Sequence, residues 1–337
     1  MKQKGTTLSP RVSIVVPTYN RGQLIVGTLE ALSSQTLTDD VLEIVVVDDG
    51  SVDETAEIVS QWIAESPRRC FNLVVHAKNR GRSAACNSGI RATSAPYIIF
   101  TDDDCIPDAD WAKHHLLRQE ATEVATGVLG SVAFPEEWVI RSNFVRYFEG
   151  RYVGKRPWST VKGEPDNLPP NLIPGMNVSF PRKPLLEVGM FNEVLGRGGD
   201  IEFAYRLWIA GMVFVYDSQA KLVHLSPEMV SFDYWLDKYL THYDRSMPYI
   251  YRECPNLIEH FGHWYMMPPR PGKESIKRTL TKFGFRAICN PRILTCLRRY
   301  LVRHDNDPKR YYPGLYLYVI ASSSLEKVKQ LERTNML

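Results

Sequence analysis

Three carboxylates stand in a row in YIIFTDDDCIPDADW, where Asp102, Asp103 and Asp104 follow the apolar run 97–100 almost directly. Neighbouring like charges repel, and a fold keeps such a cluster only where water, hydrogen bonds or a cation compensates it. If extended geometry continues past Phe100, side chains alternate, so Asp102 and Asp104 share one side and Asp103 points away. A D-x-D pair of that kind is a natural clamp for one metal ion and its ligand, and Asp103 is then the acid expected to tolerate replacement best. The alternative is a solvated turn, because Asp favours turns and Pro107 and Asp108 lie close by. A second acidic pair, Asp48 and Asp49, closes LEIVVVDDGS. One of these accepts a hydrogen bond from a nucleobase N–H, or the pair only turns and caps the chain before Gly50 and Ser51.

The elements that must position these acids alternate. VSIVVP (Val12 to Pro17), LEIVVVDD, FNLVVHAKN and PYIIF read as buried strands. Between them lie helical stretches: one after TYNRG with Leu24, Ile25, Thr28, Leu29 and Leu32 at helical spacing, one with Ile58, Val59 and Trp62, and the small-residue stretch RSAACNSGIRA. Ser51 and Glu54 match a capping box at the start of the second. Strand and helix alternating four times predicts an α/β fold with a Rossmann-like, mostly parallel sheet flanked by helices. Ligands of such sheets bind at the carboxyl ends of the strands, where Thr18, Tyr19, Asn20, Asp48, Asp49 and Asp102 to Asp104 collect. Neither a G-x-G-x-x-G after the first strand nor a G-x-x-x-x-G-K-[ST] occurs, so glycine-rich phosphate loops are not in use. Carboxylates repel phosphate unless a metal stands between, and a divalent cation bridging protein acids and a diphosphate follows.

Composition excludes several other classes. With 44% hydrophobic and 23% charged residues, the 337-residue chain is ordinary for a globular protein. Its six cysteines form no C-x-x-C pair, which argues against a zinc ribbon and for reduced thiols in a cytoplasmic setting. The polar start MKQKGTTLSP lacks the apolar core of a signal peptide, and YYPGLYLYVIASSS is too short to span a bilayer. NVSF at Asn177 matches a glycosylation sequon, read here as a chance match. Charge is uneven: from Arg270 to Leu337 there are 15 Lys and Arg against 5 Asp and Glu, a net +10, so the preceding residues carry −7 of the chain's +3.

The motifs VSIVVPTYNR, EIVVVDDGSVDET, NRGRSAACNSGI and YIIFTDDDCIPDADW, continued by PGMNVSFPRKPLLEVGMFNEVLGRGGDIEFAYRLWIAG and AKLVHLSP, resemble in order those of family 2 glycosyltransferases. The resemblance covers roughly residues 10–228. It implies a GT-A fold and inverting transfer of a sugar from a nucleoside diphosphate sugar, expected to be a UDP-sugar, to a carbohydrate or lipid-linked acceptor in polysaccharide, glycolipid or other glycoconjugate synthesis. It implies donor contacts from Pro17, Thr18, Tyr19, Asp49, Arg82, Asp102 and Asp103, with Arg82 toward the diphosphate. Asp104 and His224, with Asp102 contributing, are the implied ligands of Mn²⁺ or Mg²⁺, and an imidazole suits Mn²⁺. Asp200 is the implied base, at a helix N-terminus that is a favourable place for negative charge. The chain departs from the pattern at Gly199, where relatives commonly carry Glu. Trp111, Asn177 and Glu202 are acceptor-side candidates, Trp111 being equally a core residue. The rival reading is a non-catalytic sugar-nucleotide binder acting as scaffold or regulator; a nucleotidyltransferase on a related sheet is a second.

The expected organisation is a catalytic domain over 1–228, with a nucleotide-sugar half at about 10–120 and an acceptor half at about 121–228, followed by a helical, basic extension over 229–337. The irregular stretch 149–175 is expected to be a mobile loop over the site. PRILTCLRRYLVRH places Ile293, Leu297 and Leu301 on one stripe and Arg292, Arg299 and Arg303 elsewhere, a basic amphipathic helix. It either packs on the core with its arginines in water or gives peripheral contact with the inner face of an anionic membrane. No nucleic-acid-binding module is present, and nucleic acid is a poor fit as partner.

Overall fold

The computed structural model describes residues 9–152, 168–170, 175–196, 198–226, 229, 231–254, 257, 268–269, 271–272 and 275–336. Four apolar runs form β1 (Val12–Thr18), β2 (Leu42–Asp48), β3 (Phe71–Val75) and β4 (Tyr97–Thr101), all parallel. They alternate with α1 (Gly22–Ser33), α2 (Thr55–Glu65) and α3 (Arg82–Ala92). β5 (Cys105–Pro107), α4 (Trp111–Glu120), β6 (Thr126–Ala133), β7 (Asn177–Pro181), α7 (Arg182–Glu187), α8 (Gly199–Ile209) and β8 (Val213–His224) complete this unit; α5 and α6 are given below. The sheet order is β3-β2-β1-β4-β7-β6-β8-β5, with antiparallel pairs β4–β7, β6–β7 and β5–β8. The sheet is thus mixed.

β1 is buried along its whole length and feeds both faces. Val12, Ile14 and Val16 pack with Ile25, Leu29 and Leu32 of α1, while Val15 packs on the other side with Cys86, Ile90 and Phe203. That double burial explains why the strand reads as a continuous apolar run without alternation. The capping box does not form. α2 starts at Thr55, whose N–H is held by Asp53, and the Ser51 hydroxyl is turned to Asp48 and the Asn20 N–H.

The chain divides into two units, Met1–Ala133 with Tyr152–Leu225, and Phe134–Arg151 with Ser226–Leu337. The single cut expected at 228 therefore misplaces residues 134–151. In the second unit α5 (Glu136–Arg141) and α6 (Asn143–Tyr152) join α9 (Phe232–Leu240), α10 (His242–Glu253), α11 (Ile276–Ile288), α12 (Pro291–Arg303) and α13 (Pro313–Arg333). Phe144 of α6 lies 5.2 Å from Phe232 and 5.3 Å from Trp235, ring centre to ring centre, and Tyr147 stacks on Tyr316 at 5.2 Å. Such aromatic clustering is strong packing, and long-range partners are what draw 134–151 away from the strand that precedes it. Glu149 belongs to α6, and the loop expected over 149–175 otherwise lies mostly outside the described residues. Among the described residues no helix is long and apolar enough to cross a membrane.

Candidate active site

The site is built at the carboxyl ends of β1, β2 and β4, closed by the start of α3, the start of α8 and the end of β8. β1 and β2 run in register so that Thr18 stands opposite Asp48. Asp48 serves the turn: its carboxylate accepts the Ser51 N–H at 3.1 Å and the Ser51 hydroxyl. Asn20 ties the two loops together, donating its N–H to Ser51 and accepting from Val52 N–H, both at 2.9 Å. Pro17 and Thr18 are buried below this loop, and Tyr19 projects from it, 40% exposed.

Asp49, buried, is occupied by three donors. It meets His76 Nδ1 at 2.7 Å and accepts the backbone N–H groups of Arg80 at 3.0 Å and Gly81 at 2.7 Å. It therefore fastens the loop that launches α3 and its first residue, Arg82. Gly50 belongs to the same device. Its φ of +71° and the 2.4 Å between a Cβ placed there and Lys78 C leave room only for glycine. His76, whose other nitrogen meets Ser88 Oγ at 2.8 Å, was overlooked in the sequence although it stands at the end of the third strand, where a ligand-facing residue is expected.

The three acids do not continue a strand. β4 stops at Thr101, and Asp102 to Asp104 form the turn into β5, so the alternation expected past Phe100 does not apply. Asp102, 27% exposed, accepts from Arg82 Nε at 3.1 Å and Nη2 at 2.5 Å. Arg82 also donates to the Gly175 carbonyl at 3.0 Å. Burial disfavours the charged guanidinium, but Asp102, followed by Cys86 and more remotely Asp200, raises its pKa above the ordinary value. Asp103 is buried, against the expectation that it points away and tolerates change. Its carbonyl accepts the Thr28 hydroxyl at 2.9 Å, and burial, reinforced by Asp104 and Asp102, pushes its carboxyl up to about 7.

Asp104 meets His224. β5 and β8 pair antiparallel with Cys105 opposite His224, and Leu225 N–H donates to the Asp104 carbonyl at 2.7 Å. This register sets Asp104 Oδ1 and His224 Nε2 3.0 Å apart in a nearly buried pair. Burial works to raise the Asp104 pKa, but the His224 contact and the charge of Arg21 outweigh it and hold the carboxyl below its ordinary value. Asp104, Cys105 and His224 bring one donor atom each within 4.8 Å. Burial, reinforced by Asp102 and Asp104, pushes the Cys105 thiol well above its ordinary pKa. A carboxylate oxygen and an imidazole nitrogen fit Mn²⁺ or Mg²⁺, better Mn²⁺.

Asp200 is the second residue of α8, partly exposed, with its carboxylate on the Ile201 N–H at 3.0 Å. The helix starts beside α3: Ser83 Oγ donates to the Leu195 carbonyl at 3.2 Å, and a Cβ at Gly199 would stand 3.1 Å from that hydroxyl. A side chain at position 199 would therefore press on the Ser83 hydroxyl.

Three acceptor-side candidates fall in the core instead. Trp111 is fully buried and donates through Nε1 to Asn177 Oδ1 at 2.8 Å. Asn177, also fully buried, meets His115 Nε2 at 2.9 Å with the same oxygen and donates to the carbonyls of Ser131 and Ala220. It is a strut between β7, β6 and β8, and its burial removes the sequon from glycosylation. Glu202 is 2% exposed and paired with Arg206 Nε at 2.7 Å. Each is polar because a buried partner needs it, which a sequence pattern cannot distinguish from polarity toward a ligand.

Residues 13–165 match the family model described as Glycosyl transferase family 2. Glycosyltransferase AglE of Haloferax volcanii is 29% identical over 219 residues, covering 63% of this chain and 66% of that protein. Validoxylamine A glucosyltransferase of Streptomyces hygroscopicus subsp. limoneus is 30% identical over 227 residues, 61% of this chain and 50% of its own length. The chain thus matches between half and two thirds of the length of these relatives. Among solved structures, mannosyltransferase PcManGT from Pyrobaculum calidifontis, in complex with GDP-Man and Mn²⁺, superposes with a TM-score of 0.62 at 21% identity, over 94% of this chain and 86% of that one. S. aureus TarS 1–349 in complex with UDP-GlcNAc superposes with a TM-score of 0.53 at 16% identity, over 96% and 91%. Motif order, the match of residues 13–165 to the family 2 glycosyltransferase model and the sheet architecture agree, and the fold is the GT-A fold of these solved neighbours.

Proposed function

We propose that the chain moves a sugar, with inversion, from a nucleoside diphosphate sugar to an acceptor hydroxyl, and that Asp104 and His224, with Asp102 nearby, hold the Mn²⁺ or Mg²⁺ this requires. The observation that carries the reading is the β5–β8 register, which brings a carboxylate and an imidazole from distant parts of the chain to 3.0 Å. Two buried polar groups so placed, at the ligand-binding end of the sheet, suit a cation and its anionic ligand. A cation bound there offsets charge on the departing diphosphate.

The chain's own residues do the rest. Tyr19, exposed above Thr18, offers a ring to the base, and Asp49 and His76 set the loop that carries Arg82. Arg82, released from Asp102, turns toward the diphosphate. Asp200 accepts the acceptor proton as the new bond to the anomeric carbon forms and the bond to the diphosphate oxygen breaks. The solved neighbours bind both a guanosine and a uridine donor, so the donor is stated as its class, with a UDP-sugar expected. The acceptor is a carbohydrate or lipid-linked sugar of a surface polysaccharide, glycolipid or other glycoconjugate.

The test is a panel of UDP- and GDP-sugars without acceptor, with and without EDTA, followed by release of nucleoside diphosphate. EDTA-sensitive release from one donor is expected. Tight nucleotide binding without turnover on any donor would make the chain a non-catalytic binder, and release of pyrophosphate would make it a nucleotidyltransferase.

A further inference from the structure

The helical unit carries a surface to which the proposed sugar transfer assigns no role. α12 begins with Asn290 capping the Arg292 N–H at 2.8 Å and Pro291 at its first position, so its rotation about its axis is well defined. Leu294, Leu297 and Leu301 pack inward, and Arg298 is tied to Asp233 and Asp237 of α9. Ile293, expected on the packed stripe, is instead 51% exposed.

Arg292, Arg299 and Arg303 are also exposed, and among the described residues none has an ion-pair partner. At 3.6 residues per turn these three fall within about 40° of one another, a single row along the helix. Beside the row, on the flank of Ile293 and Tyr300, opens an apolar groove of about 650 Å³ between Leu297, Tyr300, Tyr312 and Leu315. Cations without partners next to an open apolar lane match a ligand with an anionic head and a hydrocarbon body.

We propose that this face of α12 docks on an anionic lipid bilayer, with headgroup phosphates on Arg292, Arg299 and Arg303 and acyl chains against Ile293 and the groove. The net charge of +10 between Arg270 and Leu337 acts in the same direction. A nucleic acid or an acidic protein would use the arginines and leave the apolar lane without a role. A second copy would bring like charges together.

The full chain is mixed with phosphatidylcholine vesicles, with and without about one third phosphatidylglycerol, at low salt. Flotation with the anionic vesicles alone is expected, lost as salt rises. Each arginine replaced by glutamine weakens partitioning about fivefold, and R292Q/R299Q/R303Q together roughly 100-fold. I293S, at an exposed position, weakens it about fivefold. An environment-sensitive dye on Cys296, exposed and on the same flank, shifts to the blue when anionic vesicles are added. Donor hydrolysis in free solution is unchanged in these variants, which separates a failure here from a failure of the catalytic assignment. No flotation at low salt, equal flotation of the triple variant, or a Cys296 dye that does not respond would overturn the proposal, as would lipid-independent dimerisation that buries Cys296.

Discussion

Replacing Asn177 by alanine separates a core strut from an acceptor contact. Its Oδ1 receives Trp111 Nε1, a group that can only donate, so Oδ1 is the acceptor and His115 Nε2 must carry the proton toward it. His115 Nδ1 then accepts from the Ser179 hydroxyl at 3.0 Å, and Ser179 accepts from Gln119 Nε2 at 3.0 Å. Alanine leaves two buried donors unsatisfied, each at a cost of about 1–3 kcal/mol, and removes partners from the Ser131 and Ala220 carbonyls. With partial relaxation the loss is about 3–5 kcal/mol, or roughly 10 °C in Tm for a unit of this size. Thermal unfolding followed by near-ultraviolet circular dichroism reads it directly, because Trp111 sits in the network. An unchanged Tm with a raised KM for the acceptor would refute the strut and return Asn177 to the acceptor side.

Asp200→Asn is expected to cut turnover by roughly 10²–10⁴ while nucleotide binding, followed by calorimetry, stays within error; near-normal turnover removes Asp200 as base. Gly50→Ala forces φ of +71° and a 2.4 Å approach on a side chain, and is expected to cost about 2–4 kcal/mol and to loosen the Arg82 loop. Proteolytic nicking near residues 76–82 at native pH reports that loosening, and wild-type resistance would contradict it. Burial pushes His115 down to about 4 from its ordinary value near 6.5, so between these values the unfolded chain binds the extra proton and stability rises with pH. The contribution is complete above about pH 6.5 and lost toward pH 4, about 3 kcal/mol in all. Denaturant midpoints for His115→Gln should lose that acid dependence, and an unchanged pH profile would refute it.

The strands and acids of the first hundred residues are legible because they are local: an apolar run buried on both faces, then polar residues where it ends. What chain order conceals is pairing. Asp104 and His224 are 120 positions apart and meet only through the β5–β8 register, so motif order alone brought His224 forward. The same limit misread Asn177, whose partners Trp111, Ser131 and Ala220 arrive from three other elements. The alternation expected for Asp102 to Asp104 fails because β4 ends at Thr101 and the three acids form a turn. Residues 134–151 read as catalytic by position, yet Phe144 and Tyr147 find their aromatic partners more than eighty residues downstream.

Direct binding of Mn²⁺ tests the central claim most closely. Titrating the purified chain with Mn²⁺ in the presence of UDP or GDP, and following the free-ion signal by electron paramagnetic resonance, measures affinity without any turnover. Asp104→Ala and His224→Ala should each weaken that affinity by roughly 10–100-fold, while Asn177→Ala in its folded state should leave it unchanged. Affinities within twofold of wild type in both ligand variants would contradict the assignment of Asp104 and His224 as the metal-binding pair.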